Sequence, residues 1–239
     1  MIIISDIHGC YWTMLRLLRQ VQQKYPEERK LVLLGDLIDR GPNSNKVVGF
    51  AMGSRSSVSV VMGNHEHLAV EAISSGDMSG WFNNGGYETV KSWGGKVPAS
   101  VLLWMRSLPV SLQFDKLLLS HTGHVPADCI ETSLWARGFK FQNDGLYRVL
   151  GHTPQVDPLI TETYACIDTG AAYRKAGFGT MTALITPSME IIQQPYDESE
   201  LPFGYEWAQA STTKQRLSKS ANPANAPPTH PHRNDTFER

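Results

Sequence analysis

The chain has 239 residues, of which 41% are hydrophobic, and this length and composition favour one large folded domain with a sizeable core. Its 22 basic and 23 acidic residues give a formal net charge of −1, which leaves no overall field for attracting nucleic acid or an anionic membrane. Three widely separated cysteines, Cys10, Cys129 and Cys166, exclude a disulfide scaffold and a CxxC metal site.

The N-terminal residues reach the charged Asp6 without the cationic start or the long apolar stretch of a secretion signal. The longest charge-free stretch, 176–189, is well short of the roughly 20 apolar residues that cross a bilayer. With the low cysteine content, these features predict a soluble cytoplasmic protein that has no membrane partner.

The first half of the chain alternates short apolar runs with helical patterns. Buried strands are predicted at three such runs, 2–5, 31–34 and 58–62. An amphipathic helix is predicted after the first run from the spacing of Met14, Leu17, Leu18 and Val21. Further helices are predicted to begin near Asn43 and to cover 65–75. This βαβαβ order predicts an α/β fold with parallel strands.

The second half is rich in predicted strands. After a Gly- and Asn-rich stretch at 83–86, a helix is predicted over 99–108. Strands are then predicted at 110–114, 117–120, 147–150, 164–167, 181–186 and 189–194, and the first two form a hairpin. These strands predict a second sheet. From Ala210 large apolar residues become scarce and prolines recur, so 1–209 is predicted to fold and 210–239 to be a disordered tail.

Each strand of the first half is followed directly by a polar cluster. The clusters are Asp6-Ile7-His8, the run from Gly35 to Gly41 that contains Asp36, Asp39 and Arg40, and Gly63-Asn64-His65-Glu66. Ligands bind at the carboxyl ends of strands in open α/β sheets, so we expect these loops to converge. His121 and His152 follow later predicted strands and extend the set.

Packing several carboxylates together is costly unless a cation compensates their mutual repulsion. Oxygen and imidazole donors without thiolate suit Mn²⁺, Zn²⁺ or Fe, and a shared carboxylate commonly holds two ions about 3.5–4 Å apart. The sequence therefore predicts a site for two divalent metal ions, with manganese as the first choice and zinc or iron as alternatives.

The ordered motifs resemble those of the calcineurin-like metallophosphoesterases, whose signature runs DxH, GDxxDRG and GNHE, followed by two single histidines. The DIHGCY opening, Gly151-His152-Thr153 and the segment from Ile167 to Ala171 look most like the small bacterial and phage serine/threonine protein phosphatases. The resemblance covers roughly residues 1–195. It implies a metallophosphoesterase-type sandwich of two mixed β-sheets flanked by helices.

The same resemblance implies a role for each site residue. One ion would be held by Asp6, His8 and Asp36, and the second by Asp36, Asn64, His121 and His152. His65 would be the general acid, oriented by Asp39, and Arg40 would clamp the phosphate. Arg137, in Leu134-Trp135-Ala136-Arg137, matches the position of a second clamp. Water shared by two such ions has a pKa lowered toward about 7, which provides a nucleophile without a covalent intermediate.

The predicted function is metal-dependent hydrolysis of phosphate monoesters, with phosphoserine and phosphothreonine in proteins as the leading substrates. The nearest alternative is a symmetrical diadenosine tetraphosphate hydrolase, whose sequences share the Arg40-Gly41-Pro42 run. Those relatives commonly lack Asp at the position of Asp39 and read GNHD where this chain reads GNHE.

Two other functional classes are disfavoured. A nuclease function is disfavoured because the folded part of the chain lacks a basic strip, and the same observation disfavours any nucleic-acid partner. A non-catalytic phosphate-binding protein would have no need of His65. Trp81, with Trp93 and Trp104, is predicted to pack in the core rather than to stack on a ligand. The sequence leaves the oligomeric state open.

Overall fold

The structure, a computed structural model, describes residues 1–124, 130–141 and 143–201. The predicted tail at 210–239 and Cys129 lie outside these residues. Within the described ranges, no helix combines the length and the apolar character needed to cross a membrane.

The first half folds as the alternating pattern predicts. Its elements are β1 (Ile2–Ile4), α1 (Tyr11–Lys24), β2 (Leu31–Leu33), α2 (Ser44–Gly53), β3 (Val58–Val60), α3 (Asn64–Ser75), α4 (Ser79–Asn83), α5 (Gly86–Ser92) and α6 (Ala99–Arg106). β1 pairs in parallel with β2, and β2 with β3, so the carboxyl ends of all three strands lie at one edge. β1 and β2 are uniformly apolar and buried, as expected where both faces of the sheet are covered, whereas the edge strand β3 exposes Ser59.

Two short helices, α4 and α5, lie on either side of the Gly- and Asn-rich stretch at 83–86. α4 and α5 are joined through Asn84 and Gly85, and Gly85 has a φ of 99° that glycine adopts without steric cost. Both helices are shorter than the window in which helical periodicity can be recognised, which explains why the pattern did not predict them.

The second half forms β4 (Ser111–Phe114), β5 (Leu117–Ser120), α7 (Ile130–Trp135), β6 (Tyr147–Leu150), β7 (Leu159–Ile160), β8 (Tyr164–Cys166), β9 (Thr180–Ile185) and β10 (Glu190–Pro195). The predicted hairpin is confirmed, since β4 and β5 pair antiparallel. The second sheet has the strand order β4-β5-β6-β8-β7, and it mixes parallel and antiparallel pairs. α7 and β7 were not predicted.

The last two strands return to the first sheet instead of extending the second. β9 pairs antiparallel with β1, and β10 with β9, which gives the order β10-β9-β1-β2-β3. Two mixed sheets flanked by helices therefore confirm the predicted fold class. The alternation of apolar residues identified these strands but carried no information about which sheet they would join.

The core lies between the two sheets. Its fully buried side chains come from the first sheet and its strand ends, at Ile3, Val32, Leu34, Val61 and Leu184, and from the second, at Leu119, Val149, Ala165 and Ile167. On the other face of the first sheet, α1 packs against β9 and β10, and α2 packs against β3. The sandwich brings the carboxyl ends of β1, β2, β5 and β6 close to one another.

Candidate dinuclear metal site

The loops that follow the strands of both sheets meet at one edge of the sandwich. The six residues predicted to bind metal are at most 5% exposed, and they are Asp6, His8, Asp36, Asn64, His121 and His152. The first three follow β1 and β2, Asn64 begins α3, and the two histidines follow β5 and β6. The structure thus brings together side chains that are up to 146 positions apart in the chain.

The backbone at this edge has left-handed conformations that residues other than glycine rarely adopt. Among the described residues, eight non-glycine positions have a positive φ, and six of them are predicted site residues: Asp6, His8, Asp36, Asp39, Arg40 and His152. Such conformations persist only where the surrounding structure imposes them, and they cluster at functional sites. The loops are therefore shaped to aim these side chains inward.

Four of the predicted ligands form one group of converging atoms. Nε2 of His121 lies 2.9 Å from Oδ1 of Asn64, 3.1 Å from Nδ1 of His152 and 3.4 Å from Oδ1 of Asp36. Nδ1 of His121 lies 2.8 Å from the carbonyl oxygen of Leu34, and donation of its proton there leaves the Nε2 lone pair facing the group. These contacts match the ligand set that the resemblance implies for the second ion.

A second group lies on the other side of Asp36. Nε2 of His8 is 3.6 Å from Oδ2 of Asp36, and Nε2 of His65 is 3.8 Å from the same oxygen. Asp6 lies beside this group without joining it, since its Oδ2 accepts the backbone N–H of His152 at 3.0 Å. Asp36 therefore faces both groups, whereas Asp6 lies outside the set of converging atoms around His8.

The electrostatics of these groups suit cation binding. Burial, with the neighbouring Arg40 and His65, holds the pKa of His8 well below its usual range, and burial with His121 lowers the pKa of His152 to about 3. Although burial opposes it, the imidazoles of His121, His65 and His8 hold the pKa of Asp36 below its usual range. The lowered pKa values of His8 and His152 favour neutral imidazoles, which together with the ionised Asp36 carboxylate are donors that Mn²⁺, Zn²⁺ or Fe accept.

Asp39 and His65 form a buried pair next to the two groups. Nδ1 of His65 lies 2.6 Å from Oδ2 of Asp39, and the Asp39 carboxylate is fully buried. Although burial opposes it, Asp36 and Asp39 raise the pKa of His65, which favours an imidazolium. The Asp39 carboxylate therefore fixes the orientation of the His65 ring, which places Nε2 on the side that faces Asp36 and Arg40.

The two predicted arginine clamps differ in their surroundings. Nη2 of Arg40 lies 2.9 Å from Nε2 of His65, and Nη1 contacts Nε2 of His8. Arg137 follows α7, is exposed, and donates a long hydrogen bond of 3.4 Å to the carbonyl oxygen of His152. Both guanidinium groups border the site, Arg40 from the first sheet and Arg137 from the second.

Comparison with known proteins agrees with this arrangement. Residues 1–179 match the sequence profile of the family described as calcineurin-like phosphoesterases, and that match covers most of the chain. The chain belongs to this family. Among solved structures of similar fold, the cold-active protein-tyrosine phosphatase of a psychrophilic Shewanella species superposes with a TM-score of 0.56 at 19% identity. That superposition covers 83% of this chain and 78% of the Shewanella chain.

The names of the curated relatives give more than one activity. A symmetrical bis(5'-nucleosyl)-tetraphosphatase of Klebsiella pneumoniae is 36% identical over 135 residues, which are 55% of this chain and 45% of that protein. Serine/threonine-protein phosphatase 1 of Salmonella typhimurium is 39% identical over 84 residues, 35% of this chain and 38% of that protein. This chain therefore spans less than half the length of either relative.

A third relative aligns over nearly its whole length. An asymmetrical bis(5'-nucleosyl)-tetraphosphatase of a Geobacillus species is 28% identical over 245 residues, which are 84% of this chain and 95% of that protein. The names of these relatives agree on phosphoester or phosphoanhydride substrates and differ in the substrate itself.

Two residues that hold Asp39 in place were not predicted from the sequence. Nε1 of Trp81 donates to Oδ2 of Asp39 at 2.8 Å, and the hydroxyl of Thr89 donates to Oδ1 at 2.6 Å. Trp81 was correctly predicted to be buried, but its indole N–H also has a polar partner. The general rule that a buried indole N–H needs a hydrogen-bond acceptor could have predicted such a partner.

Glu66 and Asp168 also contribute more than the sequence suggested. The Glu66 carboxylate accepts the backbone N–H groups of Asp36 and Leu37 at 2.8 Å and of Gly63 at 2.9 Å, which ties the loops after β2 and β3 together. Asp168 follows β8, is buried, and interacts electrostatically with Asp6; burial and Asp6 raise its pKa well above the usual range. Its position directly after a predicted strand was the available signal.

Proposed function

We propose that this protein is a metal-dependent hydrolase of phosphate esters. The observation that carries the proposal is the position of Asp36 between two groups of ligand atoms, beside the Asp39–His65 pair and Arg40. His8 and Asp36, joined by Asp6, would hold one divalent ion, and Asp36, Asn64, His121 and His152 would hold the other. When bound, such a pair of ions supplies a water of lowered pKa as the nucleophile and neutralises charge on the phosphoryl oxygens.

The side chains around the ligands would position the substrate and deliver a proton. Arg40 borders both His8 and His65, so its guanidinium can hold phosphoryl oxygens next to the ligand groups. His65, oriented through Nδ1 by Asp39, can donate the Nε2 proton to the departing oxygen. Arg137 approaches from the second sheet and is exposed, which leaves it free to turn toward the same phosphoryl group.

The Asp39–His65 pair supports a phosphomonoester with a poor leaving group as substrate. A serine or threonine alkoxide leaves badly without a proton, whereas a nucleoside diphosphate leaves readily. A buried carboxylate that accepts three side-chain donors, from His65, Trp81 and Thr89, is a costly arrangement that an easy leaving group does not require. We therefore propose phosphoserine and phosphothreonine as substrates, in the cytoplasm.

Dinucleoside tetraphosphates are the second candidate substrates, and the named relatives favour them. The tetraphosphatases of Klebsiella pneumoniae and of the Geobacillus species are 36% and 28% identical to this chain over the aligned residues. Asp39 and Glu66 favour a protein phosphatase instead, because symmetrical tetraphosphate hydrolases commonly lack Asp at the position of Asp39 and have Asp at the position of Glu66.

One assay tests the reaction and a second one ranks the substrates. Hydrolysis of p-nitrophenyl phosphate is expected to disappear after chelation and to return with Mn²⁺, and full activity in a demetallated sample would contradict the proposal. The values of kcat/KM for a phosphoserine peptide and for diadenosine tetraphosphate, measured in parallel, then decide between the two candidates. A preference of tenfold or more for the tetraphosphate would overturn the assignment as a protein phosphatase.

A further inference from the structure

A cavity of about 390 Å³ adjoins the candidate metal site on the side of Arg40. Its lining includes Arg40, Tyr173, Arg174, Lys175 and Tyr196. Arg40 also contacts His8 and His65, so a substrate whose phosphoryl group is held at Arg40 has the cavity directly beside that group. Cavities of about 300–1,000 Å³ bind small molecules, so this one can take up a side chain of a substrate but not a folded partner.

Positive charge lines this cavity without a carboxylate partner. Arg174 and Lys175 are exposed, and among the residues that the structure describes neither forms an ion pair with a carboxylate. Glu198 interacts electrostatically with the cavity wall at Tyr196, but its Oε1 accepts the backbone N–H and the hydroxyl of Thr13 at 2.9 and 2.8 Å. The two cations are therefore available to an anionic group of a ligand.

Aromatic side chains orient the guanidinium groups of the cavity. Nη2 of Arg174 donates to the hydroxyl of Tyr196 at 2.7 Å, and its guanidinium carbon lies 4.8 Å from the centre of that ring. The guanidinium carbon of Arg40 lies 5.1 Å from the centre of the Tyr173 ring. The bond to Tyr196 uses one of the five N–H donors of Arg174, so the other donors can bind an anion. Oriented cations lose less conformational entropy when an anion binds.

The loop at 170–179, which carries Arg174, is closed by backbone hydrogen bonds. The N–H of Gly179 donates to the carbonyl oxygen of Gly170 at 3.0 Å, and the N–H of Tyr196 donates to that of Gly179 at 2.7 Å. These bonds join the loop to the segment that carries Tyr196, so the two walls of the cavity are held together before a ligand binds.

A phosphoprotein presents more to the enzyme than its phosphoryl group. The polypeptide continues from the phosphorylated serine or threonine in both directions and advances by at most about 3.3–3.6 Å per residue, so three neighbours span roughly 10 Å. The side chains of these neighbours can therefore reach a cavity that shares Arg40 with the phosphoryl group. Aspartate and glutamate complement the two cations, and a guanidinium can hold a carboxylate through two parallel hydrogen bonds.

We propose that this cavity binds the carboxylate of an aspartate or glutamate that flanks the phosphorylated residue of a protein substrate. The inference rests on the proposed function and deepens it, because it names acidic phosphoserine and phosphothreonine sequences as the substrate class. Arg174 and Lys175 select the acidic side chain, while Arg40 holds the phosphoryl group. A basic residue at the same place in the substrate is disfavoured, because like charges repel.

Binding of non-hydrolysable peptides locates the acidic residue without turnover. Each peptide carries one phosphoserine analogue, in which CH₂ replaces the bridging oxygen, and one Glu at one of the three positions on either side, with Ala at the others. Matched peptides carry Gln in place of that Glu. Fluorescence anisotropy with the Mn²⁺-loaded full chain is expected to show about tenfold tighter binding of the Glu peptide at one or two adjacent positions. Equal affinities for Glu and Gln throughout, or an equal advantage at all six positions, would overturn the proposal.

Reversal of the two charges tests whether Arg174 and Lys175 provide the preference. In Arg174→Glu combined with Lys175→Glu, the Glu advantage is expected to disappear, and a peptide with Lys at the same position is expected to bind more tightly than the Gln peptide. Loss of the fold would weaken all peptides alike instead of reversing their order. Arg174→Gln combined with Lys175→Gln is the milder variant and is expected to bind the Glu and Gln peptides equally. A Glu advantage that persists in it would overturn the proposal.

Arg55→Gln combined with Lys116→Gln is the matched control. Both residues are exposed, Arg55 between α2 and β3 and Lys116 between β4 and β5, at the edges of the sheets opposite the carboxyl ends of β3 and β5. The pair removes one arginine and one lysine, as the test variant does, and we expect it to keep the Glu advantage. Its loss in this control as well would mean that overall charge selects the peptide, which would contradict the proposal.

Kinetics separate failure of this inference from failure of the proposed function. Absence of p-nitrophenyl phosphate hydrolysis in the wild type would contradict the proposed function, and the peptide affinities would still decide whether the cavity selects a carboxylate. With activity present, a phosphoserine peptide with the favoured Glu is expected to have a kcat/KM about tenfold above its Gln counterpart, through KM.

Two kinetic outcomes would assign the cavity to phosphoryl groups instead and overturn the proposal. One is a loss in Arg174→Gln combined with Lys175→Gln that is larger on diadenosine tetraphosphate than on the Glu peptide. The other is a preference that appears only when a second phosphoserine replaces the Glu.

Discussion

At the scale of single residues, the site depends on side chains that are oriented by buried partners. His8 and His121 each place Nδ1 2.8 Å from a backbone carbonyl oxygen, of Ile38 and Leu34 respectively, which turns Nε2 toward Asp36. The resemblance to the calcineurin-like family implied which side chains would bind metal, and the structure brings these predicted ligands together. The orienting carbonyls could not be predicted, since any residue type can supply them.

The first prediction at this scale concerns His65 as the general acid. His65→Asn is expected to reduce kcat on an alkyl phosphate by roughly 10²–10⁴, the usual contribution of such a proton transfer. Turnover of an aryl phosphate, whose leaving group needs little protonation, is expected to fall far less. Steady-state kinetics on both substrates check this, and equal losses would remove His65 from the acid role.

The second prediction concerns Trp81 as a positioning residue for Asp39. Trp81→Phe removes the indole N–H that lies 2.8 Å from Oδ2 of Asp39 and keeps most of the buried aromatic surface. We expect kcat on an alkyl phosphate to fall by about tenfold, with KM unchanged and aryl phosphate turnover nearly unaffected, because His65 loses its fixed orientation. Trp93→Phe is the control, since Trp93 is only half-buried. A uniform loss on both substrates would indicate a packing role only.

At the scale of elements, two glutamates join segments that the sequence keeps apart. Glu66 lies in the first turn of α3 and binds the loop after β2. Glu198 follows β10 and caps the first turn of α1, which has no acidic residue of its own and no side-chain cap from Cys10. Neither contact is encoded in local periodicity, because Thr13 and Asn43 are 185 and 155 positions from Glu198.

Removal of the Glu198 charge is expected to destabilise the fold at the start of α1. In Glu198→Gln, an amide NH₂ replaces one of the oxygens that accept from Thr13 and Asn43, so a cap worth about 1–2 kcal/mol is weakened. For a domain of this size we expect Tm to fall by roughly 2–8 °C. Thermal unfolding monitored by circular dichroism checks this, with Glu200→Gln as the exposed control. An unchanged Tm in Glu198→Gln would show that the cap contributes nothing.

At the scale of the whole molecule, both sheets contribute side chains to the candidate metal site. The core between them is built from apolar strands that the sequence revealed, and the polar ends of those strands meet at one edge of the sandwich. The parallel pairing in the βαβαβ half was predictable because two strands joined through a helix lie parallel in the same sheet. The return of β9 and β10 to β1 was not, since antiparallel strands of similar pattern fit either sheet.

The proposed reaction depends on two metal ions that ligands from both sheets hold around Asp36. The metal content of the chain, measured by elemental mass spectrometry, tests for these ions. We expect two manganese ions per chain in the wild type after loading with Mn²⁺ and removal of free metal. Asp36→Asn, which weakens the shared ligand, is expected to retain fewer than one. A wild-type chain that hydrolyses phosphate esters with no bound ion, or an Asp36→Asn chain that keeps both, would contradict the account.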